Sequence, residues 1–222
     1  KKDQDSSIKD NNGRGFNQII DTELTTWSLT PRGNMEWVVG EQHHQSTIGA
    51  DLYYAYYNSD RGRNRDEPPI HTYRARQTTV GLYGQDNFEL FDGLTAQVGG
   101  RFIWNKFAGG DEFDPNAPGA FGSKRETTGT TERNYLYNVS LEYEIGRQLS
   151  VFGRTGRSVR FPTINERIAS SDGITFKLKT QISRDVEAGL RYQTEKLALQ
   201  GSVFVMKLKN ELRFDPSIGG GF

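Results

Sequence analysis

Cysteine is absent from these 222 residues, so no disulfide framework and no thiolate metal site can form. Long apolar runs are missing too. No stretch approaches the roughly 18 consecutive apolar residues of a membrane helix, and the mean hydropathy is −0.73. That excludes helical spans but not barrel strands, which are apolar at alternate positions only and so stay low in average hydropathy. Charge of one sign is lacking: Lys plus Arg and Asp plus Glu number 28 each. No basic excess exists to attract nucleic acid, and none is expected as a partner. Convincing amphipathic helices are also lacking. The chain opens on KKDQDSS without a starting methionine or signal-like segment and stops in the loop-like PSIGGGF, so residues 1–222 are expected to be a partial domain truncated at both ends.

What is present points to strands. Ten Tyr, thirteen Phe and 25 Gly suit β-structure with tight turns. In NYLYNVSLEYEIG, Asn134 to Gly146, one alternating set is Tyr135, Tyr137, Val139, Leu141, Tyr143 and Ile145. The other is Leu136, Asn138, Ser140, Glu142 and Glu144. Such a ribbon has one apolar and one polar face. About eight strands of this kind are expected, near residues 21–37, 46–58, 72–91, 94–107, 134–146, 149–159, 176–193 and 197–214. Many exceed the usual strand length of about 5 to 6 residues. They also exceed the roughly 9 to 11 that a tilted membrane strand needs.

The connections alternate in length. Asp92–Gly93, Gly146–Gln148 and Thr194–Glu195 are tight, whereas residues 59–71, 108–131 and 160–175 are long. Short turns at one end and long loops at the other mark an outer-membrane barrel. Register is expected to pair Leu90 with Leu94, Ile145 with Leu149 and Tyr192 with Leu197, with Gly93 in the left-handed position of its turn. The least regular strand is the last, where Phe204, Met206 and Leu208 fall on the inward side.

Two architectures compete. A soluble sandwich needs ordinary strand lengths and turns roughly every 8 to 12 residues, and gives no reason for a Tyr-rich apolar face. A barrel puts that face against lipid, with aromatic girdles at both interfaces. The expected fold is therefore all-β: an antiparallel meander within a large transmembrane barrel, closed because unpaired backbone groups are costly in lipid. Val98, Phe102, Trp104, Tyr135, Tyr137, Val139, Leu141 and Tyr143 are expected to face lipid. Arg101, Glu142, Glu144, Glu187 and Arg191 are expected to face the lumen. A passive porin and a rim-active barrel enzyme remain open; His43 and His44 lie at the short-turn end, wrong for the latter.

Three segments then resemble those of TonB-dependent outer-membrane receptors. VGLYGQDNFELFDGLTAQVGGRF, Val80 to Phe102, resembles that family's paired strands with a Tyr–x–Gln–Asp run and a Gly–Gly–Arg–aromatic run. GRTGRSVRFPTINERI, Gly153 to Ile168, resembles its Arg–aromatic–Pro–Thr–x–x–Glu segment, matched by Arg160, Phe161, Pro162, Thr163 and Glu166. DVEAGLRYQTEKLALQGSVFVMKLKNEL, Asp185 to Leu212, resembles its following hairpin. The order matches over about residues 72–213.

The resemblance implies a barrel of about 22 strands with a plug in its lumen. It implies a transport receptor rather than an enzyme, in the outer membrane of a Gram-negative bacterium. It further implies energised uptake of a scarce ligand: most often a ferric siderophore, otherwise haem, cobalamin or a saccharide. The implied partners are outer-membrane lipid and lipopolysaccharide, the receptor's own plug and, through the plug, TonB. No stretch here resembles a plug or a TonB box, and no resident cofactor is implied. Arg61, Arg63 and Arg65, in an expected external loop, and Arg160 suit an anionic ligand, although contact with lipopolysaccharide or water explains the loop arginines as well. Lumen-facing charges are expected to pair with the plug or each other.

Other chemistry is weak in the sequence. Adjacent His43 and His44 point to opposite faces and are expected to be solvated turn residues. His71 is expected in a loop, without an obvious partner for a metal site. Asp111 to Asp114, DEFD, lack the spacing of a calcium loop and read as a solvated acidic loop. GRTGRS lacks the ending of a phosphate loop.

Overall fold

The computed structural model describes residues 2–9, 15–124, 127–168 and 178–213. Its strands are β1 (Lys2–Lys9), β2 (Gly15–Leu29), β3 (Arg32–Val39), β4 (Gln42–Gly62), β5 (His71–Phe91), β6 (Leu94–Phe113), β7 (Thr128–Glu144), β8 (Leu149–Arg160), β9 (Gln181–Gln193) and β10 (Ala198–Lys209). All pair antiparallel in one open sheet, ordered β1-β2-β4-β5-β6-β7-β8-β9-β10, with β3 beside β4. The expected meander is what forms.

β2 and β3 are one strand with a nick. Leu29 pairs with Leu52 and Arg32 with Gly49, so the register does not slip between them. The break sits at Pro31, which has no N–H to give the ladder. Its carbonyl still accepts from the Ala50 amide at 3.0 Å. Nine strands therefore lie side by side where about eight were expected. The extra one is β1, whose KDQDSSIK shows little alternation. Parts of the expected seventh and eighth strands, at 176–177 and 214, lie outside the described residues.

Turn chemistry follows the residues. Gly93 has φ 77° and Gly146 φ 96°, left-handed values that glycine adopts without strain. Ile145 pairs with Leu149, the Ile145 amide donating to the Leu149 carbonyl at 2.7 Å. Two expected pairings are corrected. Phe91, not Leu90, faces Leu94, because a bulge between Glu89 and Phe91 takes up one residue; the rest of the β5–β6 register is as expected. Tyr192 pairs with Leu199 rather than Leu197, since the turn spans Thr194 to Leu197. A shift of two residues keeps every side chain on its face.

β4 and β5 each run 21 residues, about 70 Å at roughly 3.3 Å per residue. The buried core is small and sits on the polar face toward the long loops: Tyr57, Tyr73, Ala75 and Phe107, with Ile164 and Ile168 above them. The last two come from α1 (Ile164–Ile168), a single helical turn in a segment expected to be loop only. Among the described residues no second layer covers the opposite face: Trp27 is 70% exposed, Val186 60% and Phe102 51%.

Candidate functional site

The sheet is two-sided, and each side has its own chemistry. Cross-strand partners share a face, so register assigns every residue. Phe102 pairs with Tyr135, Val98 with Val139, Ala96 with Leu141, Leu94 with Tyr143 and Gly100 with Tyr137. Val98, Phe102, Trp104, Tyr135, Tyr137, Val139, Leu141 and Tyr143 thus lie together on one face. Leu52, Leu82, Val151, Leu190 and Val203 continue it across the sheet. Apolar area on this scale is far beyond what a soluble monomer leaves open.

The other face carries cross-strand ion pairs. Arg101 reaches past Gly81 to Asp51 at 2.6 Å; a Cβ on Gly81 would sit 3.0 Å from the guanidinium. Arg191 donates to both Glu142 oxygens at 2.6 and 2.7 Å, and Ser150 donates to the same carboxylate. Arg154 binds Glu187 at 2.5 Å. Glu144 shares this face and is exposed at the short-turn end. Arg101, Glu142, Glu144, Glu187 and Arg191 are therefore on one side, and four of the five hold partners within the sheet. Phe204, Met206 and Leu208 lie on it as well.

Large side chains on this face lie over glycines of the neighbouring strand. A Cβ added to Gly49 would meet Tyr83 at 2.4 Å; one on Gly99 would meet Asn138 at 2.3 Å, and one on Gly189 would meet Phe152 at 2.5 Å. Nearer the short turns the surface is polar: Asn34, Glu36, Gln45, Gln85, Asn87 and Gln97 line a shared hollow.

At the long-loop end the arginines take separate positions. Arg61 belongs to β4 rather than a loop, and its guanidinium lies 4.6 Å from the Tyr73 ring centre. Arg63 donates to the Gly119 carbonyl at 2.8 Å and lies over Phe121. Arg65 is exposed in the turn that follows. Arg160 ends β8 and is engaged by Glu166, which gives it a local partner that the sequence reading did not supply.

Glu166 closes a capping box on α1. The Thr163 amide donates to its carboxylate at 2.8 Å, and its own amide donates to the Thr163 hydroxyl at 3.2 Å. Burial pushes the Glu166 carboxyl upward, but the Thr163 amide and the Arg160 guanidinium outweigh it, and the net displacement is downward. Next to it Arg167 is fully buried, 4.6 Å from the Phe107 ring centre and 3.8 Å from Glu132. The Thr–x–x–Glu spacing after Pro162 was a readable start signal for this turn.

The histidines need correction. His71 is not a loop residue: it opens β5, is buried, and places Nδ1 2.9 Å from Asp111 and Nε2 2.9 Å from the Phe121 carbonyl. It stacks between Tyr73 and Phe113. Asp111 is accordingly buried at the end of β6, not part of a solvated loop. His44 is not a solvated turn residue: it stacks on Trp37 and Phe88 and sits 2.6 Å from Asp86, a carboxylate that Ser46 also reaches. Long-range pairs of this kind leave no local pattern. Among the described residues no group of His, Cys, Asp and Glu is arranged to hold a metal ion.

Comparison with known proteins agrees with this geometry. The profile described as TonB dependent receptor-like, beta-barrel matches residues 2–222. No curated protein sequence matches. Among solved structures, the ferric-catecholate import receptor Fiu from E. coli K12 superposes with a TM-score of 0.68 at 12% identity, over 92% of this chain and 34% of that one. The ferric citrate transporter FecA gives 0.69 at 11% identity, over 93% and 30%. The copper transporter OprC gives 0.63 at 14%, over 87% and 31%. The chain spans about a third of the length of each, and at such identities the likeness is one of fold.

Proposed function

The chain belongs to the TonB-dependent receptor β-barrel family, and from that premise we propose that it forms part of the wall of an outer-membrane receptor for TonB-energised uptake. Proteins of this family are outer-membrane β-barrels of Gram-negative bacteria and act as transport receptors. The proposed cargo is a ferric siderophore, a class suggested by ferric-catecholate import through Fiu and ferric citrate transport by FecA. Copper transport by OprC, on the same fold, is why the cargo needs its own test.

One observation carries the reading: a broad face of exposed apolar and aromatic side chains, interrupted near the short turns by the His44–Asp86 pair, backs a face of ion pairs and amides. With hydrocarbon on the first side and an enclosed lumen on the second, both are at home. In this reading residues 1–222 are all barrel wall. Arg101, Glu142, Glu144, Glu187 and Arg191 line the lumen against the receptor's plug, through which TonB acts. Arg61, Arg63 and Arg65 stand at the extracellular end, where an anionic chelate or lipopolysaccharide would arrive. Arg160, Phe161, Pro162, Thr163 and Glu166 shape the wall beside them, the Arg160–Glu166 pair fixing α1.

The membrane reading is tested with spin labels on cysteines at Val98, Tyr137 and Leu141 of the complete receptor. Contact with bilayer oxygen rather than water-soluble relaxant is expected, and water contact at all three would overturn it. The cargo is tested by deleting the gene and growing the strain on single defined iron sources. Growth lost on one ferric siderophore and restored by the gene is expected. Unchanged growth on every iron source, with loss on another nutrient, would remove siderophores from consideration.

A further inference from the structure

The His71 ring is held between two acceptors. Its Nδ1 lies 3.2 and 2.9 Å from the two Asp111 carboxylate oxygens, and its Nε2 lies 2.9 Å from the Phe121 carbonyl. A carbonyl oxygen only accepts, and so does an ionised carboxylate; a neutral imidazole has one N–H to give. With that hydrogen on Nδ1, a bare Nε2 faces the Phe121 oxygen. With it on Nε2, a bare Nδ1 faces the carboxylate. Either way two lone pairs meet, and solvent cannot come between them, since the two side chains are 4% and 0% exposed. The arrangement is satisfied with one proton more: one shared by Nδ1 and Asp111, and one on Nε2 donated to Phe121.

The bond at Nε2 fastens a loop. β6 ends at Phe113, and the segment from Asp114 to Gly122 folds back against the end of the polar face. The Asp114 amide donates to the Ile70 carbonyl at 2.9 Å, and the chain then turns on itself from Asp114 to Ala117 and from Ala117 to Ala120. Two side chains reach its far end: Arg63 donates to the Gly119 carbonyl at 2.8 Å, and His71 meets the Phe121 carbonyl. Beside them Gly119 and Gly122 have φ of 66° and 73°, and a Cβ would come within 2.8 Å of Arg63 and 3.2 Å of His71. Glycine at these two positions lets the backbone come down onto both side chains. The charged and titratable groups around the ring are Asp111 on β6, the Tyr73 phenol on β5, Arg61 of β4 over the Tyr73 ring and Arg63 over the Phe121 ring. Guanidinium groups keep their charge throughout, so the unit that exchanges the proton is His71 with Asp111.

We propose that His71 and Asp111 form a proton-operated latch on the segment from Asp114 to Gly122. With the extra proton in place the segment stays down; when it leaves, the Phe121 carbonyl is let go. The latched form binds a proton that the released form does not need, so the latch weakens as pH rises. Release also takes the Gly119 carbonyl away from Arg63, and an anion at the extracellular end can take that carbonyl's place. This last consequence rests on the receptor reading above; the latch itself does not.

The test uses the complete receptor with spin labels on Ala120→Cys, in the segment, and Lys106→Cys, on β6. Their separation is followed from about pH 5 to about pH 9, a span that brackets histidine titration. Nitrogen chemical shifts of the labelled imidazoles, with His71 assigned by its loss in His71→Gln, report the proton. Wild type is expected to be latched in acid with both ring nitrogens protonated. A more distant population should grow as the ring loses its proton, the equilibrium moving about tenfold to a hundredfold for one charge-assisted hydrogen bond. His71→Gln should be shifted toward release at every pH. Asp111→Asn separates a switch from a prop: its amide N–H can donate to a bare Nδ1 while Nε2–H still reaches Phe121, so neutral His71 satisfies both sides and the segment should stay down at every pH. A prop would loosen instead. A wild-type separation that is constant across the range, a His71→Gln variant as closed as wild type in acid, or an Asp111→Asn variant that opens or keeps the pH dependence overturns the latch. Labels at Val98, Tyr137 and Leu141 that report water sink the membrane reading and leave the latch standing.

Discussion

Ile168→Ala isolates what fastens α1 to the sheet. Five residues are too few to be helical unaided, so the turn stands on its docking and its cap. Ile168 is 1% exposed and lies in the cluster with Tyr57, Tyr73, Ala75 and Phe107. Truncation of a buried isoleucine costs about 2 to 5 kcal/mol. Taking about 2 to 4 kcal/mol as local, the undocked population rises about 30-fold to nearly a thousandfold, at tenfold per 1.4 kcal/mol. Loss of the cap by Thr163→Ala costs about 1 kcal/mol, near fivefold. The assay is hydrogen exchange in the complete receptor, read at the Arg167 amide, which donates to the Thr163 carbonyl at 3.1 Å. Ile168→Ala should release that amide faster than Thr163→Ala, with exchange in β4 to β6 unchanged. Equal protection in wild type and Ile168→Ala, or a larger effect from the cap, would refute the view that packing holds this turn.

Other outcomes follow from the same contacts. The Glu166 carboxyl is displaced downward in the folded state, so its contribution is complete above the ordinary glutamate value of about 4.3 and is lost as pH falls through the lower folded value. Protection at α1, taken against the intrinsic exchange rate at each pH, should therefore fall in acid, and Glu166→Gln should flatten that dependence. Gly81→Val drives a side chain into the Arg101 guanidinium and strands the buried Asp51 carboxylate, a loss of about 3 kcal/mol. Urea unfolding should show it, and an Asp51→Asn background should shrink it. His71→Ala removes the contact of Nε2 with the Phe121 carbonyl in the 114–124 segment and takes the imidazole from the buried Asp111, so trypsin should cut faster at Lys124, while Lys196 serves as an unaffected reference site.

Much of the fold was legible because it is written locally. Alternation at Asn134 to Gly146 fixed the faces of β7, and Gly93 and Gly146 marked their turns through the conformation only glycine takes easily. Errors fell where the signal is faint. β1 is too polar to alternate visibly. The two-residue turn is centred on Glu195 and Lys196 rather than on Thr194 and Glu195, a displacement visible only from the hydrogen bond that closes it. The charges of the polar face could be assigned a side by parity, but not a partner: Asp51 and Arg101 are 50 residues apart in sequence, and His71 finds Asp111 across a hairpin. The capping box at Thr163 is different, since its spacing stood in plain view.

On the barrel reading proposed above, Tyr83, Asn138 and Phe152, laid flat across Gly49, Gly99 and Gly189, would set the clearance of the inner wall. A ring that stands upright takes up radius; a ring that reclines leaves it free. On that reading, replacing any of these glycines with alanine would tip its neighbour away from the sheet and narrow the bore at that height, so three residues without side chains would act as a gauge on how large a body the wall can admit.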